Sequence, residues 1–184
     1  MGIFMLIIIL ILLVICCLIV KCYNDLVQKR NRVENAWAQI DVQLQKRFDL
    51  IPNLMETVKG MCNYEKETFT NIVEARNRYS TASTVDDKIK VSNESEKLFN
   101  SINVLHEDYP ELKANEGYLK FMDSLNNIEE QISVSRLFYN DTVNKFNDEV
   151  MCFPNNIIAS IFGFKKHDLF EVESSVRENI KVSF

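Results

Sequence analysis

Residues 1–20 form an unbroken apolar run dominated by Ile and Leu, densest from Leu6 to Val14 and without a charged side chain. At about 1.5 Å of rise per residue, about 20 residues reach about 30 Å, the depth of a bilayer's hydrocarbon layer. The pattern then changes to a helical period. Val33, Trp37, Ile40, Leu44, Phe48 and Ile51 recur at steps of three and four, while Arg30, Arg32, Glu34, Gln39, Gln43, Lys46 and Arg47 fill much of the rest. This spacing predicts an amphipathic helix that continues straight from the membrane. Pro52 cannot donate a helical hydrogen bond and disfavours helix at Ile51, and Asp49 can cap a new helix, so a kink or tight break is expected there.

Beyond it, Leu54, Val58, Met61, Thr68 or Phe69, Ile72, Val73, Arg76 and Tyr79 keep helical spacing, weakened at Gly60, until the polar run Ser80 to Thr84 stops it. A third helix is predicted from Asp86 to Glu107, with Ile89, Phe99, Ile102 and Leu105 on one side and Ser92 and Glu96 interrupting the stripe. Pro110 marks a turn within Asp108-Tyr109-Pro110-Glu111. The fourth stripe is the longest: Met122, Leu125, Ile128, Ile132, Ser135, Tyr139, Val143, Phe146 and Val150 make a seam about eight turns long. Phe153-Pro154 ends it, and the tail reads as short helical pieces around Ile157 to Phe162, a stop at Gly163 and a partly extended end.

Four such stripes cannot be hidden singly, so the helices should pack as a bundle. The expected organisation is an anchor over residues 1–22, a four-helix bundle over 23–152 and a tail over 153–184 packing on the bundle. The tail segment Phe153 to Lys166 is more apolar than a surface loop should be. Docking on the bundle accounts for that better than contact with a membrane or partner, because burial is the commoner fate of apolar area.

Composition agrees with helices. With 4 glycines and 3 prolines in 184 residues, the turn chemistry of an all-β chain is missing. The N-terminal run has neither a basic leader nor small residues at a cleavage position, and bulky Ile15 precedes Cys16 where a lipoprotein signal needs a small residue, so an uncleaved single-pass anchor is expected. Lys21, Lys29, Arg30 and Arg32 follow the span and no Lys or Arg precedes it, which places the bundle in the cytoplasm with the N-terminus outside. Lys21 to Phe48 carries six Lys or Arg against three Asp or Glu, so the net charge of −5 divides into +3 there and −8 in the remainder. A basic collar suits an anionic membrane face, and the acidic body argues against a nucleic-acid partner.

Chemistry-bearing patterns are scarce. A di-metal site in a bundle asks for Glu-x-x-His pairs, but Asn103 and Phe164 stand three residues before His106 and His167. Both histidines read as solvated or capping residues near helix ends. Cys16, Cys17 and Cys22 lie in or beside the span, and Cys62 and Cys152 read as buried apolar thiols, with neither a disulfide framework nor a zinc motif. The isolated glycines build no phosphate-cradling loop. No cofactor, metal, small-molecule substrate or enzymatic activity is therefore expected. Arg47, Asp49, Pro52 and Asn53, within Arg47 to Leu54, are the candidate interaction or hinge residues; the plainer alternative is a helix junction in which Asp49 caps and Arg47 pairs with a carboxylate. Asn140-Asp141 could hold a neighbouring helix by hydrogen bonds.

Longer motifs carry a resemblance: Tyr23-Asn24-Asp25-Leu26-Val27, Ala36-Trp37-Ala38-Gln39-Ile40-Asp41, Arg47-Phe48-Asp49-Leu50-Ile51-Pro52-Asn53-Leu54, Tyr109-Pro110-Glu111-Leu112-Lys113-Ala114-Asn115-Glu116, Arg136-Leu137-Phe138-Tyr139-Asn140-Asp141, Phe162-Gly163-Phe164 and Val182-Ser183-Phe184. Together these make the chain resemble the LemA family of bacteria over essentially its whole length. The resemblance implies an all-α, membrane-anchored, up-and-down four-helix bundle of bromodomain-like topology with no catalytic or ligand residue to carry over. Similar proteins among those of the magnetosome membrane hint at membrane organisation. The expectation is a non-enzymatic scaffold or adaptor of the bacterial inner membrane, bound to the bilayer through residues 1–22 and to another envelope protein, with a membrane-organising or lipid-contacting protein as the alternative.

Overall fold

In the computed structural model the described residues are 1–58, 66–108, 112 and 114–171, with the backbone alone described at 54–56, 58, 66–69, 97 and 100–108. Among them every regular element is helical: α1 (Gly2–Asp49), α2 (Ile51–Val58), α3 (Lys66–Thr81), α4 (Val85–Asp108), α5 (Glu116–Met151) and α6 (Asn155–Phe162). The side chains of Leu54, Val58, Phe69, Ile102, Leu105 and His106 lie outside the described part, as do residues Gly60, Met61, Cys62, Tyr109 to Glu111 and Val182 to Phe184.

α1 runs for 48 residues, about 70 Å at 1.5 Å per residue. Its length follows from composition, since no glycine or proline occurs between Ile3 and Ile51 to weaken it. Its first part is apolar and long enough to cross a membrane, and none of that window is buried against protein. The break anticipated near Pro52 is a single residue: Leu50 is a turn whose N–H is shared by the carbonyls of Lys46 and Arg47, at 3.2 and 3.3 Å. Pro52 then sits in the first turn of α2, where a missing N–H costs no helical bond.

Local chemistry sets the other boundaries. Thr84 Oγ1 accepts from the Asp87 N–H at 3.1 Å, the N-cap bond that starts α4, and donates to the Asp87 carboxylate at 2.6 Å. Asn115 Oδ1 accepts from the Tyr118 N–H at 2.9 Å and starts α5. Gly163 closes α6 in the left-handed region, φ 74°, while the Phe164 N–H donates to the Ala159 carbonyl at 2.9 Å.

The chain divides into two compact units, one of residues 1–38 and 137–169, the other of 39–136 and 170–184. In the first, α1 and α5 pack antiparallel, as the pairs Lys29–Glu149 and Trp37–Tyr139 require. Leu26, Val33, Ala36, Tyr139, Val143 and Phe146 are buried there, and Ile158 and Ala159 of α6 join them. Asn147 clamps the segment after α6 with two bonds, its Nδ2 donating to the His167 carbonyl at 2.9 Å and its Oδ1 accepting from the His167 N–H at 3.0 Å. Tyr139 adds a third, its hydroxyl donating to the Asp168 carbonyl at 3.1 Å.

In the second unit, Ile40, Leu44, Phe48 and Ile51 meet Ile72, Ala75 and Tyr79 of α3, Val91 and Phe99 of α4, and Phe121, Leu125 and Ile132 of α5 as the buried apolar set. The Phe48 ring lies 5.0 Å from that of Tyr79 and 5.7 Å from that of Phe99. Each such side chain contributes about 1.5–3 kcal/mol by leaving water, which makes this set the main source of the unit's cohesion. Phe170 is buried in the same unit, and the Asn93 amide donates to the neighbouring Glu171 carbonyl at 2.8 Å.

Candidate functional site

The inward stripe of α1 carries one charge. Arg47 falls three residues after Leu44 and four before Ile51, so helical geometry turns it to the core, where only 1% of its side chain remains exposed. α4 meets it with Ser92 and Ser95, three residues apart on one face and both buried. Nη2 of Arg47 donates to Ser92 Oγ and Ser95 Oγ, each at 3.2 Å, and Nη1 donates to Glu129 Oε1 of α5 at 3.1 Å. Ser95 Oγ gives its own proton to the Ser92 carbonyl at 2.8 Å, which leaves its lone pairs to the guanidinium. The guanidinium also stands 4.5 Å over the Phe99 ring.

A second arginine completes the cluster. Arg136 stacks 4.6 Å over the Phe170 ring. Burial pushes its pKa down, the carboxylates of Glu96 and Glu129 oppose that shift, and the charge of Arg47 adds to it. Two cations and two carboxylates thus share one partly desolvated region, an arrangement that survives only while the charges offset one another. The Nε atoms of both arginines are buried without a hydrogen-bond partner among the described residues. Chemically the cluster can lock α1, α4 and α5 of this unit in one register.

A companion group lies two turns earlier on α1. Asp41 accepts the Tyr79 hydroxyl at 2.6 Å and the Lys88 ammonium at 2.7 and 2.9 Å, with that ammonium 5.3 Å from the Tyr79 ring centroid. Burial first, then the hydrogen bond to Asp41 and its negative charge, raise the Tyr79 phenol far above the usual tyrosine range. A phenol so placed stays protonated and serves as a donor.

Of the four residues singled out in sequence, Arg47 is in the core while Asp49, Pro52 and Asn53 are at the surface. Asp49 engages Arg76 at 3.3 Å and the Gln45 amide at 3.1 Å, and Arg47 pairs with a carboxylate, Glu129. The Asn53 carbonyl accepts the Thr57 hydroxyl at 2.8 Å, a bond within α2. Sequence reasoning missed Ser92, Ser95, Glu129 and Arg136. The signal was present in two halves: a charge inside the α1 stripe and a polar gap inside the α4 stripe.

Three other expectations meet the structure differently. Cys152 is exposed in the turn before α6, not buried. Asp141 bonds Lys145 of its own helix at 2.6 Å, so its carboxylate stays exposed on α5. His167 sits in the extended segment, its ring 5.3 Å from Phe146. Among the described residues no three His, Cys, Asp or Glu side chains gather as metal ligands would.

The 65 residues shared with two magnetosome proteins of Paramagnetospirillum magneticum, MamQ 2 and MamQ 1, are 34% identical in each case, and cover 35% of this chain and 24% of theirs. A longer match is Protein LemA of Metamycoplasma hominis, 25% identical over 163 residues, which are 87% of this chain and 74% of that protein. The model of the LemA family matches residues 36–184, a stretch that includes Arg47, both serines, Glu129 and Arg136. With that match over most of its length, the chain belongs to the LemA family.

Proposed function

We propose that this protein is a membrane-anchored scaffold or adaptor of the bacterial cell envelope, which holds a helical surface beside the bilayer for another envelope protein and converts no substrate. The observation that carries this reading is the continuity of α1. A single helix contains both the exposed apolar span and the buried residues Leu26, Val33, Ile40, Leu44 and Phe48. Leu26 comes six residues after Val20, so about 9 Å of helix separates the span from the first packed side chain. A flexible tether would let packed helices search a wide volume; an unbroken helix holds the packed residues Leu26 and Val33 of the unit of residues 1–38 and 137–169 close to the span.

Two further features support the reading. The buried charges are consumed by one another, as a register lock requires, whereas a catalytic group must be free to meet a substrate. α5 also leaves Leu137 and Phe138 exposed side by side, apolar area of the kind protein partners cover. The basic residues Lys21, Lys29, Arg30 and Arg32 after the span support a helical body on the cytoplasmic side. A photo-crosslinking amino acid at Leu137 in living cells should yield one discrete membrane-fraction adduct that is lost when the probe moves to exposed Asn31 of α1. No adduct, or the same smear from both positions, would contradict the scaffold reading.

A further inference from the structure

We propose that α6 and the turn before it form a second membrane contact, in which Phe153, Ile157 and Ile161 enter the headgroup layer of the leaflet from which α1 emerges. The inference rests on the anchored reading of α1 and concerns a surface that reading does not use. All of the residues involved belong to the unit of residues 1–38 and 137–169.

Depth is the first argument. Tyr23 follows Val20 by three residues, about 4.5 Å along the helix axis. The Phe162 ring centroid lies 4.8 Å from that of Tyr23, and the Phe164 ring lies 5.8 Å from it. Headgroups add about 5–7 Å to each side of the hydrocarbon layer, so the Tyr23–Phe162 pair stands at headgroup depth. α6 is therefore fixed beside the membrane surface by a contact made at that surface.

The pattern within α6 is the second argument. At about 100° per residue, Ile158 and Ala159 point one way, Ile157 and Ile161 share a neighbouring edge, and Asn156 and Ser160 lie beyond that edge. Ile158 and Ala159 are buried, yet Ile161 is 69% exposed, and Phe153 in the preceding turn is 80% exposed. Docking on protein therefore accounts for one edge of the helix and leaves a second apolar edge uncovered. A protein-buried edge, an apolar edge and a polar edge in sequence is what a helix lying in an interface needs.

Charge and rigidity complete the case. Lys21, two residues before Tyr23, and Lys165 and Lys166, just after α6, are exposed, and Arg30 stands 5.4 Å from the Phe164 ring centroid, so the segments that meet at Tyr23 carry cations that anionic headgroups attract. Glu149 ties the elements together, accepting from Lys29 of α1 and from the Asn155 amide of α6 at 2.7 Å. The occupant indicated is the lipid surface itself, because α1 holds the Phe162 end of this helix at headgroup depth.

The test uses the full chain with its 5 cysteines replaced by alanine, reconstituted into phosphatidylcholine–phosphatidylglycerol vesicles and carrying one environment-sensitive fluorophore at a time. The labelled variants are Phe153→Cys, Ile157→Cys and Ile161→Cys on the proposed edge, Asn156→Cys and Ser160→Cys on the polar edge, Leu137→Cys on α5 and Leu10→Cys in the span. Spin-labelled lipid should quench positions 153, 157 and 161 at least about fivefold more than 156, 160 and 137, since one buried isoleucine or phenylalanine favours an apolar phase by tenfold or more. Iodide should show the reverse order. Equal quenching of the two edges overturns the proposal, and so does shielding of 157 and 161 from iodide without lipid quenching, which would assign the edge to protein. Failure of lipid to quench position 10 overturns the anchor and the proposal together. Because labels can disturb a helix, the unlabelled Ile157→Asp/Ile161→Asp variant provides a second reading: hydrogen exchange of residues 153–162 in vesicles should rise severalfold over the parent, while an unchanged rate counts against membrane contact.

Discussion

Replacing Arg47 by alanine should cost the folded protein about 3–5 kcal/mol, the range for breaking a buried ion pair. The structure shows how that figure arises. Glu129 is 39% exposed in the pair, so water screens the ion pair itself to about 1 kcal/mol. The two serine hydroxyls accept from a charged donor, which makes each bond worth about 1.5 kcal/mol at the low end of its range. The stack on Phe99 adds about 1 kcal/mol in a desolvated site, and the buried aliphatic stem contributes packing as well. For a domain of this size, about 2–4 °C of melting temperature accompanies each kcal/mol, so Arg47→Ala should lower the midpoint by about 10 °C. Glu129→Gln keeps an acceptor beside the guanidinium and should lower it by only about 2–4 °C. Circular-dichroism melts of the full chain in detergent check both values. A midpoint for Arg47→Ala no lower than that of Glu129→Gln would refute the claim that the serines and Phe99 hold the arginine in place.

Two further outcomes follow from particular contacts. Tyr79 has a folded pKa above its unfolded value of about 10, so the native state holds a proton that the unfolded state releases, and stability should fall as pH rises past about 10; Tyr79→Phe should flatten that alkaline loss in urea titrations, and an unchanged slope would exclude Tyr79 as its source. Asn147→Ala removes two bonds to the His167 backbone and should cost about 1–2 kcal/mol, with amide exchange at His167 rising at least tenfold and exchange at Tyr79 unchanged.

The helices were legible because their signals are periodic and local. Phe48, Leu125, Ile132, Tyr139 and Phe146 are buried as their spacing requires, and Gly163 stops α6 because the left-handed φ at that position suits a residue without a Cβ. Pairing between helices was not legible. Ser92 weakened the α4 stripe when read alone, and only the fold shows that it answers Arg47, a residue 45 positions away. Glu129 had no local mark, and Arg136 stood only as the first residue of a longer motif that assigns it no role. Cys152 misled for a related reason: a lone thiol in an apolar stretch suggests burial, but the turn before α6 points it outward. The apolar tail was legible as unusual and not as divided, because separating its buried edge from its exposed one requires knowing which side α1 covers.

In the proposed arrangement α1 holds the chain in the membrane and the helical body lies on the cytoplasmic side. Protease protection of a C-terminal epitope tag in sealed, right-side-out membrane vesicles, with carbonate extraction of a parallel sample, checks both halves. The tagged protein should stay with the membranes through carbonate extraction, and the tag should resist protease in the sealed vesicles until detergent opens them. Release of the protein by carbonate, or digestion of the tag in sealed vesicles, would contradict it.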